Sequence, residues 1–423
     1  MTPGDIKILT VVGARPNFMK VAPIIRAITE ANKKMAGRRI KHVLVHTGQH
    51  YDAIMSDRFF IDLGLPKPDV HLGVGSGSHA HLTADVMQKF EPVLLAERPD
   101  FVLVVGDVNS TVACALVTAK ISFDAFGARP LICHVESGLR SFDRLMPEEV
   151  NRVVTDHVSD ILFVTEESGF QNLRNEGIPA EKIHFVGNTM IDSLLEFSEK
   201  AEESTVLAEL GFRPAPNNGA PTRPVSKYAL LTLHRPSNVD TREAFLKILT
   251  GLDELASTCP IVFPVHPRTQ QRIKELGSAI PLQMNSRGLA KDGVAADNRD
   301  AGLLLIDPLG YLDFLCMMKH AAIVVTDSGG IQEETTCLGI PCVTVRENTE
   351  RPVTVEKGTN IIAGTQTEGI RSAIRRQAGA RGTGAPKNWD GRAAERIVET
   401  LIQVISSSDA SEAQPTLQPH ASK

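Results

Sequence analysis

The stretch Ala321–Gly339, AAIVVTDSGGIQEETTCLG, decides the fold class. Ala321–Val325 is an apolar, β-branched run that reads as a buried strand. Thr326, Asp327, Ser328, Gly329 and Gly330 follow as a small-residue turn, and Ile331–Leu338 then has helical character up to Gly339. Strand, turn and helix start in this order make a pocket for an anion. The first amides of a helix lack intrahelical partners, and the helix dipole favours negative charge there. The glycines let a phosphate approach the backbone closely. Glu333 and Glu334, one turn into the helix, are placed to accept bonds from sugar hydroxyls. The plainer alternative is an ordinary strand–helix unit in which Ser328 only caps the helix.

The same alternation extends in both directions. Upstream, strands are expected at Ile6–Val12, Lys41–His46, Phe101–Val105, Leu131–His134, Ile161–Val164 and Ile183–Val186. Helices are expected between them near 16–30, 52–63, 82–96, 110–121, 148–158 and 168–175. The pattern restarts after Gly187 with a helix over Met190–Leu210 and strands at Tyr228–Leu233, Ile261–Val265, Leu303–Ile306, Ala322–Thr326 and Cys342–Val345. Strands alternating with helices indicate parallel sheets covered on both faces. The economical fold is α/β, with two Rossmann-like doubly wound domains over 1–188 and 189–389. A final amphipathic helix is expected over Trp389–Ile405, and residues 407–423 lack apolar periodicity and are expected to be disordered. Arg213–Lys227 is Pro-rich and 285–301 is polar, so both read as surface loops.

A length of 423 residues suits two domains, and 42% hydrophobic with 22% charged residues is ordinary for a globular chain. The net charge of −5 and an aromatic content of 5% argue against nucleic-acid binding. Six cysteines form no metal-ligand spacing, which fits reduced core residues of a cytoplasmic protein. Neither a signal peptide nor an apolar run of membrane-spanning length is apparent.

The chemistry-bearing residues gather at strand ends. VVGARPNFMKVAP (Val11–Pro23) places Arg15 and Lys20 near a helix start, where a cation opposes the dipole and an anion is the natural partner. Solvated surface charge is the alternative. HTGQHYD (His46–Asp52) offers two histidines and Gln49 at the carboxyl end of a parallel strand, where open sheets bind ligands. No carboxylate pair or cysteine pattern supports a metal there. VVGDVNST (Val104–Thr111) ends in Asp107, either ligand-facing or a helix cap. HVESGLRSFDRLMPEEVNR (His134–Arg152) concentrates charge: Pro147 opens a helix with Glu148 and Glu149 in its first turn, whereas Glu136 belongs to no obvious cap. Asp107, Glu136 and Glu148 are expected to share one crevice and to raise one another's pKa, so that one site supplies both acid and base. Downstream, LLTLHRPSNVD brings His234 and Arg235, and FPVHPRT brings His266 and Arg268, to strand ends. RENTERPVTVEKGTN carries Arg346, Glu350 and Arg351 on a turn-rich loop able to close over a ligand.

Taken together, GARPNFMKVAP, TGQHYD, GDVNST, HVESGLRSFDRLMPEEVNR, TLHRPSNVD, TDSGGIQEETTCLGIPC and ENTERP resemble the non-hydrolysing UDP-N-acetylglucosamine 2-epimerases. The resemblance covers nearly all of residues 6–405. It implies a glycosyltransferase-B-type architecture, with two Rossmann-like domains facing across a cleft and the last helix (390–406) packing back on the first. It implies C2 epimerisation between UDP-N-acetylglucosamine and UDP-N-acetylmannosamine, without NAD or metal, through an enzyme-bound 2-acetamidoglucal. By position in the motifs, Asp107, Glu136 and Glu148 match the acid–base carboxylates and His234 the catalytic histidine. Arg15, Lys20, Ser328, Gly329, Gly330, Glu334 and Arg351 fall to substrate and UDP binding. Gln49 and His50 match part of a pocket for a second, activating UDP-sugar, and a homodimer is the family expectation. Two departures stand out: Asn17-Phe18-Met19 where Glu-Ala-Ile is frequent, and Ser137 where Ala is common. A related UDP-2-acetamido sugar, such as a diacetamido-glucuronate, is an alternative substrate. A hydrolysing epimerase, a retaining glycosyltransferase and a non-catalytic sugar-nucleotide binder complete the alternatives.

Overall fold

The computed structural model describes residues 4–35, 37–48, 64–213, 227–265, 267–286, 302–377 and 384–412. Among them, two seven-stranded sheets follow one another along the chain. The first contains β1 (Ile6–Val12), β2 (Ile40–His46), β3 (Val70–His71), β4 (Phe101–Val105), β5 (Leu131–Ser137), β6 (Ile161–Val164) and β7 (Ile183–Phe185). Its order is β3-β2-β1-β4-β5-β6-β7. The second contains β8 (Ala229–Thr232), β9 (Pro260–Pro264), β10 (Met284–Ser286), β11 (Gly302–Ile306), β12 (Ile323–Thr326), β13 (Cys342–Thr344) and β14 (Asn360–Ile362). Its order is β10-β11-β9-β8-β12-β13-β14. The pairings in both sheets are parallel.

Side chains alternate between two buried faces, as the period of a strand requires. On β1, Ile6, Ile8 and Val12 enter one apolar cluster while Leu9 and Val11 enter the opposite one. On β8, Leu230 joins the cluster of Ile6 and Ile8, and Ala229 and Leu231 join another. One cluster therefore runs from sheet to sheet. The helix Thr189–Ala201 bridges it through Met190, Ile191, Leu194 and Phe197, packing on the helices Arg15–Lys34, Tyr311–His320 and Gly329–Leu338. Each such buried side chain contributes roughly 1.5–3 kcal/mol.

Each sheet reverses its winding once, beside its own first strand. β1 lies between β2 and β4, and β8 lies between β9 and β12. Open α/β sheets bind ligands beyond the carboxyl ends of the strands at such a reversal. The chain leaves β1 and β4 into Gly13 and Gly106–Asp107, and leaves β8 and β12 into Leu233–His234 and Asp327–Gly330.

The structure departs from the sequence reading in four places. The helix expected over Met190–Leu210 breaks after Ala201 and resumes at Val206–Glu209. Ser204 donates to Asp313 at 2.7 Å and accepts from the Val206 amide, and Glu202 pairs with Lys319 at 2.7 Å. These local bonds compete with the helix ladder. Three edge strands, β3, β10 and β14, are two or three residues long and carry too little pattern to read; β10 takes Asn285 and Ser286 from an expected loop. Strand β5 continues past His134 to Ser137. The last helix starts at Ala393 and runs to Glu412, beyond the expected end, with Ser406 and Ser407 donating back to the Ile402 and Gln403 carbonyls at 2.9 Å. Residues 413–423, the Pro-rich segment 214–226, 287–301, the expected helix 52–63 up to Leu63, His266, and the candidate pair Gln49 and His50 lie outside the described residues.

The last helix is anchored by the helix Thr189–Ala201. The Asp192 carboxylate accepts from the Ala393 and Ala394 amides at 3.2 and 2.7 Å, a capping anion supplied by another element. Trp389, just upstream, is buried and donates to the Thr165 carbonyl at 2.9 Å. The helix then packs against Arg15–Lys34. Among the described residues, no helix is long and apolar enough to cross a membrane.

Candidate functional site

At the first reversal, the turn after β1 is drawn tightly onto its neighbours. A Cβ at Gly13 would collide with Ser110 Oγ and meet Thr47 Oγ1 at 2.9 Å, so only glycine fits. The helix Arg15–Lys34 follows; Arg15 opens it, but its side chain lies outside the description. Asn17 fastens the turn, accepting from the Ala14 amide at 2.9 Å and donating to the Val105 carbonyl at 2.9 Å. The departure at this position is therefore a staple between the β1 turn and the end of β4.

One turn further on, Lys20 is buried and donates to Glu136 Oε1 at 2.6 Å. Glu136 is the least ordinary residue of the first half. It sits at a register shift between β5 and β6 with φ 71°, a conformation that costs a non-glycine residue about 1–3 kcal/mol. Its Oε2 is buried with no hydrogen-bond partner among the described residues. Burial alone would push this carboxyl up, but Lys20 and Arg351 outweigh it and hold it below its ordinary value. The expected mutual raising by neighbouring carboxylates is thus overturned for Glu136, because Lys20 and Arg351 bond its carboxylate directly.

Asp107 is half-buried and paired with Arg152. Arg152 is itself buried and also bonds Glu149 Oε2 at 2.8 Å. Glu148 and Glu149 are adjacent on the helix Pro147–Val158 but do different things, because successive helix positions point about 100° apart. Glu149 is buried and accepts from the Ser141 and Phe142 amides, both at 2.9 Å, fixing the loop that precedes the helix. Glu148 stays half-buried, and its nearness to Arg235 of the second half works against the burial that lowers the Arg235 guanidinium. His134 is committed to structure: its ring bonds Asp156 at 2.6 Å and the Gly106 carbonyl at 2.9 Å.

At the second reversal, β12 and β8 pair Thr326 with Thr232, and the chains diverge beyond them. Asp327 turns inward and is fully buried. It accepts from the His234 amide at 3.1 Å, the Arg235 amide at 3.0 Å, Asn238 Nδ2 at 3.0 Å and His234 Nδ1 at 2.8 Å. The His234 side chain is otherwise 65% exposed. Ser328 stands at the N-cap of the helix Gly329–Leu338, yet its hydroxyl bonds none of the described helix amides. The plain capping alternative therefore fails for this side chain. Gly329 leaves room for the opposite loop: a Cβ there would meet Arg351 Nη1 and Glu350 Oε1, each at 2.8 Å. At Gly330 the nearest atom to a Cβ is Met190 Cε at 3.7 Å, an ordinary contact.

Arg351 is buried among three carboxylates. It meets Glu350 at 2.7 Å, Glu333 at 2.8 Å and, across the two halves, Glu136 Oε1 at 3.3 Å. The same turn stacks further charge, with Arg346 bonding Glu350 at 2.6 Å. Glu333 and Glu334 are both buried. Burial pushes Glu333 up to about 7 against the pull of Arg351, and burial with the nearby Glu333 pushes Glu334 up to about 8. Glu166, on the first half, is pushed up to about 7 by burial, with Glu333 adding to the effect.

The structure therefore joins Lys20, Glu136 and Arg351 in one contact set and places Asp107 beside it through Arg152, which acts electrostatically on both Glu136 and Glu350. Asp327, Glu166 and Arg152 are participants to which sequence reasoning gave no role, whereas it placed Glu333 toward sugar hydroxyls and noted Asn17 only as a departure. Only Asp327 carried a usable signal, as the acid inside the quoted TDSGG turn. Between the halves lies a cleft of about 530 Å³, lined by Asp143, Leu145 and Met146 on one side and Arg235, Arg346 and Asn348 on the other. Among the described residues, no group of three or more His, Cys, Asp or Glu is arranged to hold a metal ion.

Two doubly wound parallel sheets, each presenting polar side chains at its reversal and facing the other across a cleft, define a two-domain α/β protein of the glycosyltransferase-B type. A profile of the family described as UDP-N-acetylglucosamine 2-epimerase matches residues 33–402, and the chain belongs to that family. The UDP-N-acetylglucosamine 2-epimerase of Methanococcus maripaludis is 40% identical over 370 residues, covering 87% of this chain and 90% of that one. The Pseudomonas aeruginosa UDP-2,3-diacetamido-2,3-dideoxy-D-glucuronate 2-epimerase is 37% identical over 403 residues, covering 94% of this chain and all of that one (100%). The crystal structure of the Methanocaldococcus jannaschii UDP-GlcNAc 2-epimerase with UDP-GlcNAc and UDP superposes with a TM-score of 0.77 at 39% identity, covering 94% of this chain and 100% of that one.

Proposed function

We propose that this enzyme interconverts UDP-N-acetylglucosamine and UDP-N-acetylmannosamine by eliminating UDP and adding it back. A carboxylate takes the C2 proton, the C2–H electron pair becomes the C1=C2 bond of 2-acetamidoglucal, and the C1–O bond breaks to release UDP. In the return step a UDP oxygen attacks C1 while C2 takes a proton on the opposite face. Both steps are redox-neutral. The C2 hydrogen is weakly acidic, so its removal must be coupled to departure of a stabilised leaving group.

Asp107, Glu136 and Glu148 form the acid–base set in this reading. His234, Arg15, the Ser328 hydroxyl and the amides of Ser328, Gly329 and Gly330 receive the diphosphate, whose charge grows as the bond breaks. Glu334 serves the ribose hydroxyls, and Lys20 and Arg351 hold Glu136. Residues 1–188 supply the proton chemistry and 189–389 the UDP site, with 390–406 returning to the first half. The observation that carries the reading is Glu136: one carboxylate oxygen fixed by Lys20 and Arg351, the other buried without a hydrogen-bond partner among the described residues. The same reading makes the protein a cytoplasmic homodimer, and six free thiols are what a reducing compartment allows.

The test is to incubate the protein with UDP-N-acetylglucosamine and follow the anomeric protons by NMR. UDP-N-acetylmannosamine is the expected product. Free N-acetylmannosamine would make the protein a hydrolysing epimerase and overturn the reading. The relative from Pseudomonas favours one second reading, in which a UDP-2,3-diacetamido-glucuronate is turned over instead. That sugar, supplied in competition, decides between them.

A further inference from the structure

The second reversal contains an acid that the proposed chemistry leaves unused. Asp327 is fully buried at the head of the UDP site, and its carboxylate gathers four donor groups. Three of them, the His234 and Arg235 amides and Asn238 Nδ2, shape the turn after β8. Asn238 also donates to the Val345 carbonyl at 3.2 Å, which ties that turn to the end of β13. The fourth is the His234 ring, with Nδ1 at 2.8 Å from Oδ1. Burial would push the Asp327 carboxyl up, but His234 and the surrounding donors reverse this and keep it below its ordinary value. An ionised carboxylate only accepts hydrogen bonds, so the proton on this contact belongs to Nδ1. The bond a histidine makes through one ring nitrogen sets what the other nitrogen presents.

We propose that Asp327 is a positioning residue for the epimerisation: it holds the Nδ1–H and the ring plane of His234 and balances the charge of the doubly protonated ring, whose Nε2–H is thereby aimed at the departing diphosphate as a donor. This rests on the role given to His234 above. A diphosphate collects charge as C1–O breaks, and a ring held in one orientation meets that charge without reorganising. An unheld ring, 65% exposed, would spend part of its time turned away, with no carboxylate to balance its charge. The Asp327 carboxylate touches neither the sugar nor the phosphate in this arrangement and acts only through His234 and its turn.

The direct test is ¹⁵N NMR of histidine-labelled protein at neutral pH, with the His234 signals assigned by their loss in H234N. A proton resident on Nδ1 is expected; a bare Nδ1 with the proton on Nε2 alone would overturn the proposal, whatever the activity. The kinetic test uses D327N, which keeps the size but cannot hold both Nδ1–H and the amides. Its kcat should fall on the order of 10- to 100-fold with KM changed little. In an H234N background the same substitution should change kcat by less than about 2-fold, since the group it acts through is gone. An equal fractional loss in both backgrounds would contradict the proposal and leave Asp327 as a turn staple. If D327N does not fold, the Nδ1 proton of the wild-type ring decides. Full turnover by H234N would instead remove the catalytic role of His234 while leaving the NMR result standing, so the two failures are distinct.

Discussion

The two reversal points solve opposite electrostatic problems. At the first, the groups that matter are carboxylates, and cations hold them: Lys20 and Arg351 on Glu136, Arg152 on Asp107. At the second, the proposed groups are a histidine and helix amides, and a carboxylate, Asp327, holds the histidine. A reaction that moves a proton at one carbon and a dianionic leaving group at the next needs both kinds of site, facing each other. The difference also shows in the backbone. The first half puts strain on Glu136 itself, whereas the second relies on glycine at Gly329, where Arg351 crosses close by. Arg351 is the point at which the two designs meet, since it touches carboxylates of both halves.

This contrast can be broken most forcefully at Glu136. Replacing it with glutamine keeps the shape and removes the base, so turnover should fall by about 10³-fold or more while UDP affinity by calorimetry stays nearly unchanged. Loss of folding or of UDP binding would make the residue structural and erase the distinction between the halves. Next comes R351M, which strips three buried carboxylates of their shared cation. Denaturant unfolding should show a loss of about 3–5 kcal/mol, because an unpaired buried charge is worse than none. A change below 1 kcal/mol would mean that the meeting point carries no load.

A smaller effect sharpens the electrostatics of the second half. The Glu334 carboxyl is pushed up from 4.5 to about 8, so between those pH values the folded state keeps a proton that the unfolded chain gives up. Its contribution is full below the unfolded value and is lost as pH rises through about 8. Wild-type Tm should therefore decline between pH 5 and pH 8, and E334Q should flatten that decline. Glu333 and Glu166, both near 7, would keep part of it. An unchanged slope in E334Q would contradict the buried assignment. The smallest effect is expected at Ser328. A side chain that caps its helix loses about 1 kcal/mol on replacement by alanine. Because the Ser328 hydroxyl bonds none of the described helix amides, S328A should stay within about 0.5 kcal/mol in stability and lose UDP affinity instead.

How far the sequence could be read depended on how local the controlling interaction was. Strands β1, β4 and β6 are legible to the residue because each is a short apolar run closed by glycine, aspartate or threonine. The edge strands β3, β10 and β14 are too short to carry a period. The motifs locate most candidate residues, but they cannot pair them. Lys20 reaches Glu136 across 116 positions and Arg351 reaches it across 215, so the depression of the Glu136 carboxyl is invisible along the chain. Glu148 and Glu149 look equivalent in sequence; one helical step separates a half-buried residue from a buried loop clamp. Asp327 stands in the most informative stretch of all, yet its hold on His234 follows only from β12 lying beside β8.

The central claim is that proton chemistry on the first half is coupled to loss and return of UDP on the second. Epimerisation in D₂O tests it most directly, with C2 followed by NMR and mass spectrometry. The expected result is one deuterium at C2 of the UDP-N-acetylmannosamine formed, with the nucleotide sugar intact. Conversion that retains protium at C2 would contradict the account, because no solvent-exchangeable carboxylate would then have carried the proton.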